Sequence, residues 1–228
     1  MYTTIINANG KQELLLLLDS LCPEVPPRTM GRTSNHTEMY AIVGLLKYLC
    51  ERNEFKYPIC LSKGQRPDFK VEHPDISIGI EHTEAVCPNA AQLDSLRVRG
   101  LIPDIYFARK SIPGEKKKSA KKLIEEIKNN HLNPPWMGSE PEENWAAAMA
   151  YHIHKKDKHY QDITWPTNEK WLLIYDNWRA PALDVAQALV ELEKLTQTNP
   201  ATFFEHIFIL SNKRIHQLSN CSDLKNRA

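Results

Sequence analysis

The apolar residues of this chain recur at two spacings, which together predict a mixture of helices and strands. The clearest helical spacing starts at Ser34 or Asn35, either of which can cap a helix, and ends near Arg52-Asn53. Its apolar positions are Ala41, Ile42, Leu45, Leu46 and Leu49. Further helices are predicted over 11–22, 89–99, from 117 onward, 142–160 and 181–196.

Strands are predicted where short segments are apolar or alternate in polarity. Residues 171–176 (WLLIYD) and 206–211 (HIFILS) are mostly apolar, as in strands buried on both faces. With the helix between them they predict a strand–helix–strand unit. Three more strands are predicted over 57–62, 68–71 and 76–85, and a loop over 131–143. The pattern therefore predicts one α/β domain over 1–228, with a helical insertion at about 100–160.

Composition narrows the class of protein only slightly. The formal net charge of +1 gives no overall attraction to nucleic acid or membrane, although local charged patches remain compatible with it. The five cysteines are scattered and contain no CxxC pair, which favours reduced thiols over disulfides or a zinc site. The N-terminal residues do not resemble a signal peptide, and the apolar run 14–18 is too short to cross a membrane. We therefore expect a cytoplasmic protein without a membrane partner.

Two acids interrupt the apolar segments of the predicted strands 68–71 and 76–85. Because side chains alternate along a strand, Glu81 shares a face with Thr83, and Asp68 shares one with Lys70. If these strands pair through the turn at 72–75, Asp68 lies close to Glu81. Two such carboxylates repel each other unless a proton or a cation lies between them. Ligation by oxygen atoms alone suits Mg²⁺ or Mn²⁺, and the arrangement predicts a metal site.

Pro67-Asp68, followed after twelve residues by Glu81-His82-Thr83, resembles the motif of the PD-(D/E)xK nuclease superfamily. The order of elements is also similar: a helix with an inward acid, a β-meander with the motif, a helix and further strands. The motif resemblance covers roughly residues 33–100. It implies a restriction-endonuclease-like α/β fold, a central mixed sheet flanked by helices. It also implies hydrolysis of phosphodiester bonds with Mg²⁺ or Mn²⁺, in DNA rather than RNA.

The resemblance implies Asp68, Glu81, the backbone carbonyl of His82 and Glu38 as metal ligands. Glu38 precedes Ile42, Leu45 and Leu49 by 4, 7 and 11 positions, which places it on the apolar face of its helix. A capping interaction with Asn35 is the alternative for this acid. The His82 side chain faces the other side of the sheet from Glu81, where a core role is expected.

Thr83 occupies the position of the family's lysine, which orients and deprotonates the attacking water. Two lysines are candidates to replace it. Lys70 follows Asp68 by two positions, and Lys156 lies on a helical stripe with Met149, Ile153 and Tyr160. A lysine on an apolar stripe needs a carboxylate partner or must extend outward to solvent, and this favours Lys156. An exposed helix lysine is the alternative.

The lysine-rich run 116–122 is the strongest candidate for contacts with phosphates. It includes Lys117, Lys118, Lys121 and Lys122, and a solvated helix face is the alternative for all of them. No DNA-reading module is apparent, so sequence specificity would depend on loops or on a homodimer. The favoured function is a metal-dependent nuclease. The alternative, supported by Thr83, is an inactive nuclease-fold protein that binds nucleic acid or another protein.

Overall fold

The computed structural model describes residues 2–104, 110–129, 135–199, 201 and 203–218. Within these ranges the chain is an α/β protein with a seven-stranded mixed sheet flanked by helices. The helices are α1 (Lys11–Leu21), α2 (Ser34–Glu51), α3 (Pro88–Val98), α4 (Ala120–Lys128), α5 (Glu140–Tyr160) and α6 (Val185–Thr198). The strands are β1 (Thr3–Ala8), β2 (Ile59–Lys63), β3 (Phe69–His73), β4 (Ile76–Ala85), β5 (Glu169–Asp176), β6 (His206–Ser211) and β7 (Arg214–Leu218).

The strands lie in the sheet in the same order as in the sequence, from β1 to β7. The first four form antiparallel pairs, β4, β5 and β6 are parallel, and β7 is antiparallel to β6. The parallel centre explains why β5 and β6 are apolar over most of their length, since helices cover both faces there. The predicted strand–helix–strand unit is confirmed as β5, α6 and β6.

Two apolar cores lie on opposite faces of the sheet. One packs α1 and α2 against β1–β4, and its fully buried residues include Leu45, Phe69 and Ile80. The other contains the inner faces of α5 and α6, with Trp145 and Ile174 fully buried. The two faces of β4 therefore contact different helices, and side-chain alternation along this strand decides which helix each residue meets.

Several predicted boundaries agree with the structure and others do not. The strands at 76–85 and 206–211 have the predicted bounds. The strand predicted over 68–71 begins at Phe69, because the Asp68 carboxylate accepts a hydrogen bond from the His82 N–H at the end of the ladder. The helix predicted from 117 begins at Ala120, where Ser119 caps it. The predicted loop 131–143 gives way to α5 at Glu140, and residues 130–134 of this region lie outside the described ranges.

The predicted cap of α2 was wrong by one residue. Thr33 is the N-cap, and its N–H donates to Nδ1 of His36 at 3.0 Å, while the two side chains lie 2.8 Å apart. A His at the third helical position therefore completes the reciprocal cap that Glu usually provides. This arrangement leaves Asn35 and Glu38 available to bind Lys63 instead.

Within the described ranges, no helix is long and apolar enough to cross a membrane. Cys22, Cys50, Cys60 and Cys87 are free thiols, in agreement with the prediction for them, and Cys221 lies outside those ranges.

Gly79 on β4 leaves room for the side chains of Trp165, Thr167 and Pro67. A Cβ added there would lie 2.7 Å from the Trp165 ring, 2.8 Å from the Thr167 hydroxyl and 2.9 Å from the Pro67 ring. We expect Gly79→Ala to lower the free energy of unfolding by about 1–3 kcal/mol because this site is already filled. Urea unfolding measures the effect.

Gly44→Ala on α2 is the matched control for this exchange. The new methyl group would meet only Leu210, at 3.6 Å, and alanine favours a helix over glycine. We expect a gain of about 0.5–1 kcal/mol in the free energy of unfolding. Equal losses in the two variants would contradict the close approach at Gly79.

Candidate active site

The register of the β3–β4 hairpin places Asp68 and Glu81 on the same face of the sheet. Phe69 pairs with Ile80, so the residues one step beyond this pair are Asp68 and Glu81. The Asp68 Oδ2 accepts a hydrogen bond of 2.9 Å from the backbone N–H of His82. The preceding turn is fixed by Tyr2, whose hydroxyl donates to the Arg66 carbonyl at 2.9 Å. Sequence-distant and local contacts thus both orient the Asp68 carboxylate.

Lys156 of α5 reaches the buried acid of β4. Its Nζ lies 2.6 Å from Oε1 of Glu81, whose side chain is only 4% exposed. The lysine side chain is 25% exposed and also passes 5.9 Å from the centre of the Tyr160 ring. Burial, and after it the Glu81 carboxylate, raises the pKa of the Tyr160 phenol. Lys156 therefore has the carboxylate partner that its place on an apolar stripe requires.

The surroundings of the Asp68 carboxyl group favour its protonated form. Burial raises its pKa most, the negative charge of Glu81 adds to the rise, and the resulting pKa is about 7. The hydrogen bond from the His82 N–H opposes this shift. The two acids thus share a site with more negative charge than its cations balance, which is the condition under which a cation binds.

We expect Asp68→Asn to stabilise the protein without metal above neutral pH. The folded-state pKa of Asp68 is about 7 and lies above its ordinary value of 3.8, so unfolding releases its proton between these values. The stability of the wild type therefore decreases as pH rises from about 4 to about 7, by up to about 4 kcal/mol. Asparagine can still accept the His82 hydrogen bond but does not ionise.

Urea unfolding in EDTA at about pH 5 and about pH 8 measures this difference. The advantage of Asp68→Asn over the wild type should be larger at the higher pH. An advantage that is the same at both values would show that the Asp68 carboxyl ionises freely in the folded protein.

Glu38 and His82 lie at the face of the sheet covered by α2. Glu38 Oε2 forms an ion pair with Lys63 at 2.6 Å, and the same ammonium contacts Asn35 Oδ1 at 2.5 Å. The predicted capping role of Glu38 is therefore replaced by this pair. Burial lowers the pKa of the His82 imidazole to about 4, so the ring is neutral at physiological pH. The charge of Glu38 nevertheless contributes to the raised pKa of Asp68.

The second lysine candidate, Lys70, pairs with a different acid. The Lys70 Nζ forms an ion pair of 2.7 Å with Glu72 on the same strand, and the Glu72 side chain is 46% exposed. Thr83 shares the face of Glu81 on β4 and lines a groove together with Lys156. The ammonium group that the threonine cannot supply on β4 is therefore present beside Glu81, at the end of a side chain from α5.

This groove has a volume of about 930 Å³ and follows α5 beside the carboxyl end of β4. Its lining includes the exposed lysines Lys155 and Lys158 as well as Lys156. The lysines predicted to contact phosphates lie on and before α4: Lys118 pairs with Glu126 at 2.6 Å, and Lys117, Lys121 and Lys122 are exposed. They are not among the residues that line the groove.

A hard divalent cation fits the chemistry of the Asp68–Glu81 pair. Glu81 Oε2 is buried and makes no close hydrogen bond, although the Tyr160 phenol interacts with the same carboxylate, so a water or an ion can complete its surroundings. Across the described ranges, no group of three His, Cys, Asp or Glu side chains is arranged to hold a metal ion. A site of two acids is still compatible with Mg²⁺, which retains several waters and uses few protein ligands.

Sequence reasoning missed two side chains that support this site, Tyr2 and Lys63. Both come from distant parts of the chain, and no spacing in the sequence indicates their contacts. Helical periodicity did place Tyr160 on the stripe of Lys156, but not its interaction with Glu81.

The chain was also compared with known protein families, curated proteins and solved structures. None of these comparisons finds a match.

Proposed function

We propose that the protein is a divalent-metal-dependent nuclease that hydrolyses phosphodiester bonds in DNA, with a restriction-endonuclease-like fold. The observation that supports this most strongly is the contact of Lys156 with Glu81 at 2.6 Å, next to the electrostatically coupled Asp68. Two acids and a lysine are the side chains that the PD-(D/E)xK motif brings together. The order α2, β2, β3, β4 and the parallel β5 also agrees with that family.

Asp68 and Glu81 would hold Mg²⁺ or Mn²⁺ together with the backbone carbonyl of His82, and Glu38 would add negative charge from the other face of the sheet. A bound cation of this kind lowers the pKa of a coordinated water and neutralises charge on a phosphate. The Asp68 side chain is fixed for this role by the His82 N–H, and burial excludes bulk water from Glu81.

Lys156 is the residue that we assign to orient the attacking water. Its ammonium has three donors, of which one contacts Glu81, so others can hold a water or a phosphate oxygen at the same carboxylate. A positive charge at this point also offsets the negative charge that develops on the phosphate in the transition state. Placement on α5 instead of β4 leaves these functions intact, because they depend on the position of the ammonium group.

The test is cleavage of plasmid DNA, single-stranded DNA and RNA with Mg²⁺ or Mn²⁺, against the same reactions in EDTA. We expect metal-dependent cleavage of DNA that is lost in Asp68→Ala and Glu81→Ala. A wild type that cuts no nucleic acid with either metal would contradict the proposal. Equal cutting by the wild type and both variants would refute the assigned site.

The second candidate function is an inactive nuclease fold that binds nucleic acid or a protein. Thr83 favours it, because the lysine expected on β4 is absent. Binding of DNA by the wild type in EDTA, without cleavage on addition of metal, would identify this case.

A further inference from the structure

The groove along α5 connects the candidate active site with the surface. Its lining includes Lys156, which contacts Glu81, and the two acids Glu84 and Glu115. Aromatic side chains also line it, among them Tyr151 and Trp178. A strand of a linear substrate that enters the active site from this side must therefore pass along α5.

The α5 wall of this groove is basic. Lys155, Lys156 and Lys158 all line it, and the first and last are exposed to solvent. His152 also lines the groove, and burial followed by the charges of Lys155 and Lys156 lowers the pKa of its imidazole to about 4. His152 is therefore neutral at physiological pH, so the lysines provide the positive charge of this wall.

The acid Glu84 near the end of β4 is compensated by cations on the α2 side of the sheet. Arg28 and Arg32 both donate to the same oxygen of Glu84, at 2.5 and 2.6 Å, and Asn177 donates to it as well, at 2.7 Å. Neither arginine lines the groove. The charge of Glu84 therefore opposes an anion in the groove less than an unpaired carboxylate would.

We infer that the α5 groove binds the phosphate backbone of the nucleic-acid substrate through Lys155 and Lys158, which line it beside Lys156. The inference rests on the proposed nuclease function and adds the path of the substrate strand to it. It assigns the main phosphate contacts to α5 and not to the lysine-rich run at 116–122. Contacts with phosphates imply binding with little dependence on sequence and a strong dependence on salt.

The experiment measures binding of a fluorescent oligonucleotide in EDTA, where cleavage cannot occur, over a range of KCl concentrations. The variant Lys155→Glu/Lys158→Glu removes two exposed cations from the groove and leaves Lys156 in place. We expect its Kd to rise at least ~10-fold, and the slope of log affinity against log salt to fall by about 1.5, since each lost phosphate contact removes about 0.7–0.9.

The control variant is Lys56→Glu/Lys47→Glu, which changes the net charge equally. Lys56 pairs with Asp75 in the β3–β4 turn, and Lys47 pairs with Asp19 of α1 and lies on α2, which covers the face of the sheet opposite α5. Their side chains are 73% and 36% exposed, and both variants should fold, as circular dichroism can verify. We expect the control to bind within about twofold of the wild type.

Equal losses in the α5 and control variants would overturn the inference, because they would reflect net charge alone. A wild type that binds no nucleic acid would overturn it too, as would a loss in Lys121→Glu/Lys122→Glu with none in the α5 variant. The proposed function fails separately. If DNA binds through α5 but is not cleaved with metal, the nuclease function is refuted and the binding groove is supported. If the α5 variant cleaves and binds DNA as the wild type does, only the binding groove is refuted.

Discussion

Glu81→Gln is expected to lower metal-dependent cleavage of DNA at least ~100-fold, the usual order of loss when one group that stabilises a transition state is removed. Glutamine has the shape of glutamate, and its amide oxygen can still accept a hydrogen bond from Lys156. It has no charge with which to hold a divalent cation. The Glu81 side chain is only 4% exposed, so a carboxylate on the protein surface cannot replace it as a metal ligand.

The measurement is the initial rate of plasmid nicking at saturating Mn²⁺, with circular dichroism to verify folding. Glu72→Gln provides the matched control, since Glu72 lies on the same hairpin but is 46% exposed and pairs with Lys70. This control should cut at close to the wild-type rate. Because both variants are purified identically, cleavage by Glu81→Gln at the wild-type rate would indicate a contaminating nuclease or a wrong site.

Lys156→Met should affect both stability and activity. It leaves the Glu81 carboxylate buried without its cation, and loss of one partner from a buried pair is strongly destabilising. The lysine side chain is 25% exposed, so solvent reduces the effect, and we expect a decrease of about 2–4 kcal/mol in the free energy of unfolding. Lys70→Met should cost less than about 1 kcal/mol, because its partner Glu72 is largely solvated.

The double variant Glu81→Gln/Lys156→Met separates the structural role of the pair from the role in cleavage that we propose for it. Without a buried charge, the double variant should recover most of the stability that Lys156→Met loses. It should remain unable to cut DNA. Recovery of cleavage together with stability would show that Lys156 acts only as a structural partner, and an unchanged stability in Lys156→Met would show that the pair contributes little.

The hydrophobic pattern was sufficient to predict the centre of this sheet. β4 and β6 have the predicted bounds. β6 is apolar over most of its length, as expected of a buried strand in a parallel sheet, whereas the start of β4 was predicted from the turn at 72–75 that precedes it. The edge strands β1 and β7 were not predicted. Each has only one or two buried positions, so their strand structure depends on pairing with β2 and β6 rather than on a pattern of their own.

The candidate site was predictable only in part for a related reason. Strand alternation and the hairpin register bring Asp68 and Glu81 together, and both follow from local sequence. The contact of Lys156 with Glu81 joins residues 75 positions apart. Helical spacing could place Lys156 on an apolar stripe and predict that it needs a carboxylate, but the identity of that carboxylate depends on how α5 packs against β4.

The most direct test of the proposed metal site is the anomalous signal of Mn²⁺ in crystals of the wild type soaked at about pH 8, where Asp68 is ionised. We expect a peak within about 2.0–2.5 Å of a carboxylate oxygen of both Asp68 and Glu81, with Lys156 still beside Glu81. The peak should be absent from crystals of Glu81→Gln treated in the same way. Wild-type crystals saturated with Mn²⁺ that give no peak between the two acids would contradict the metal-dependent nuclease site.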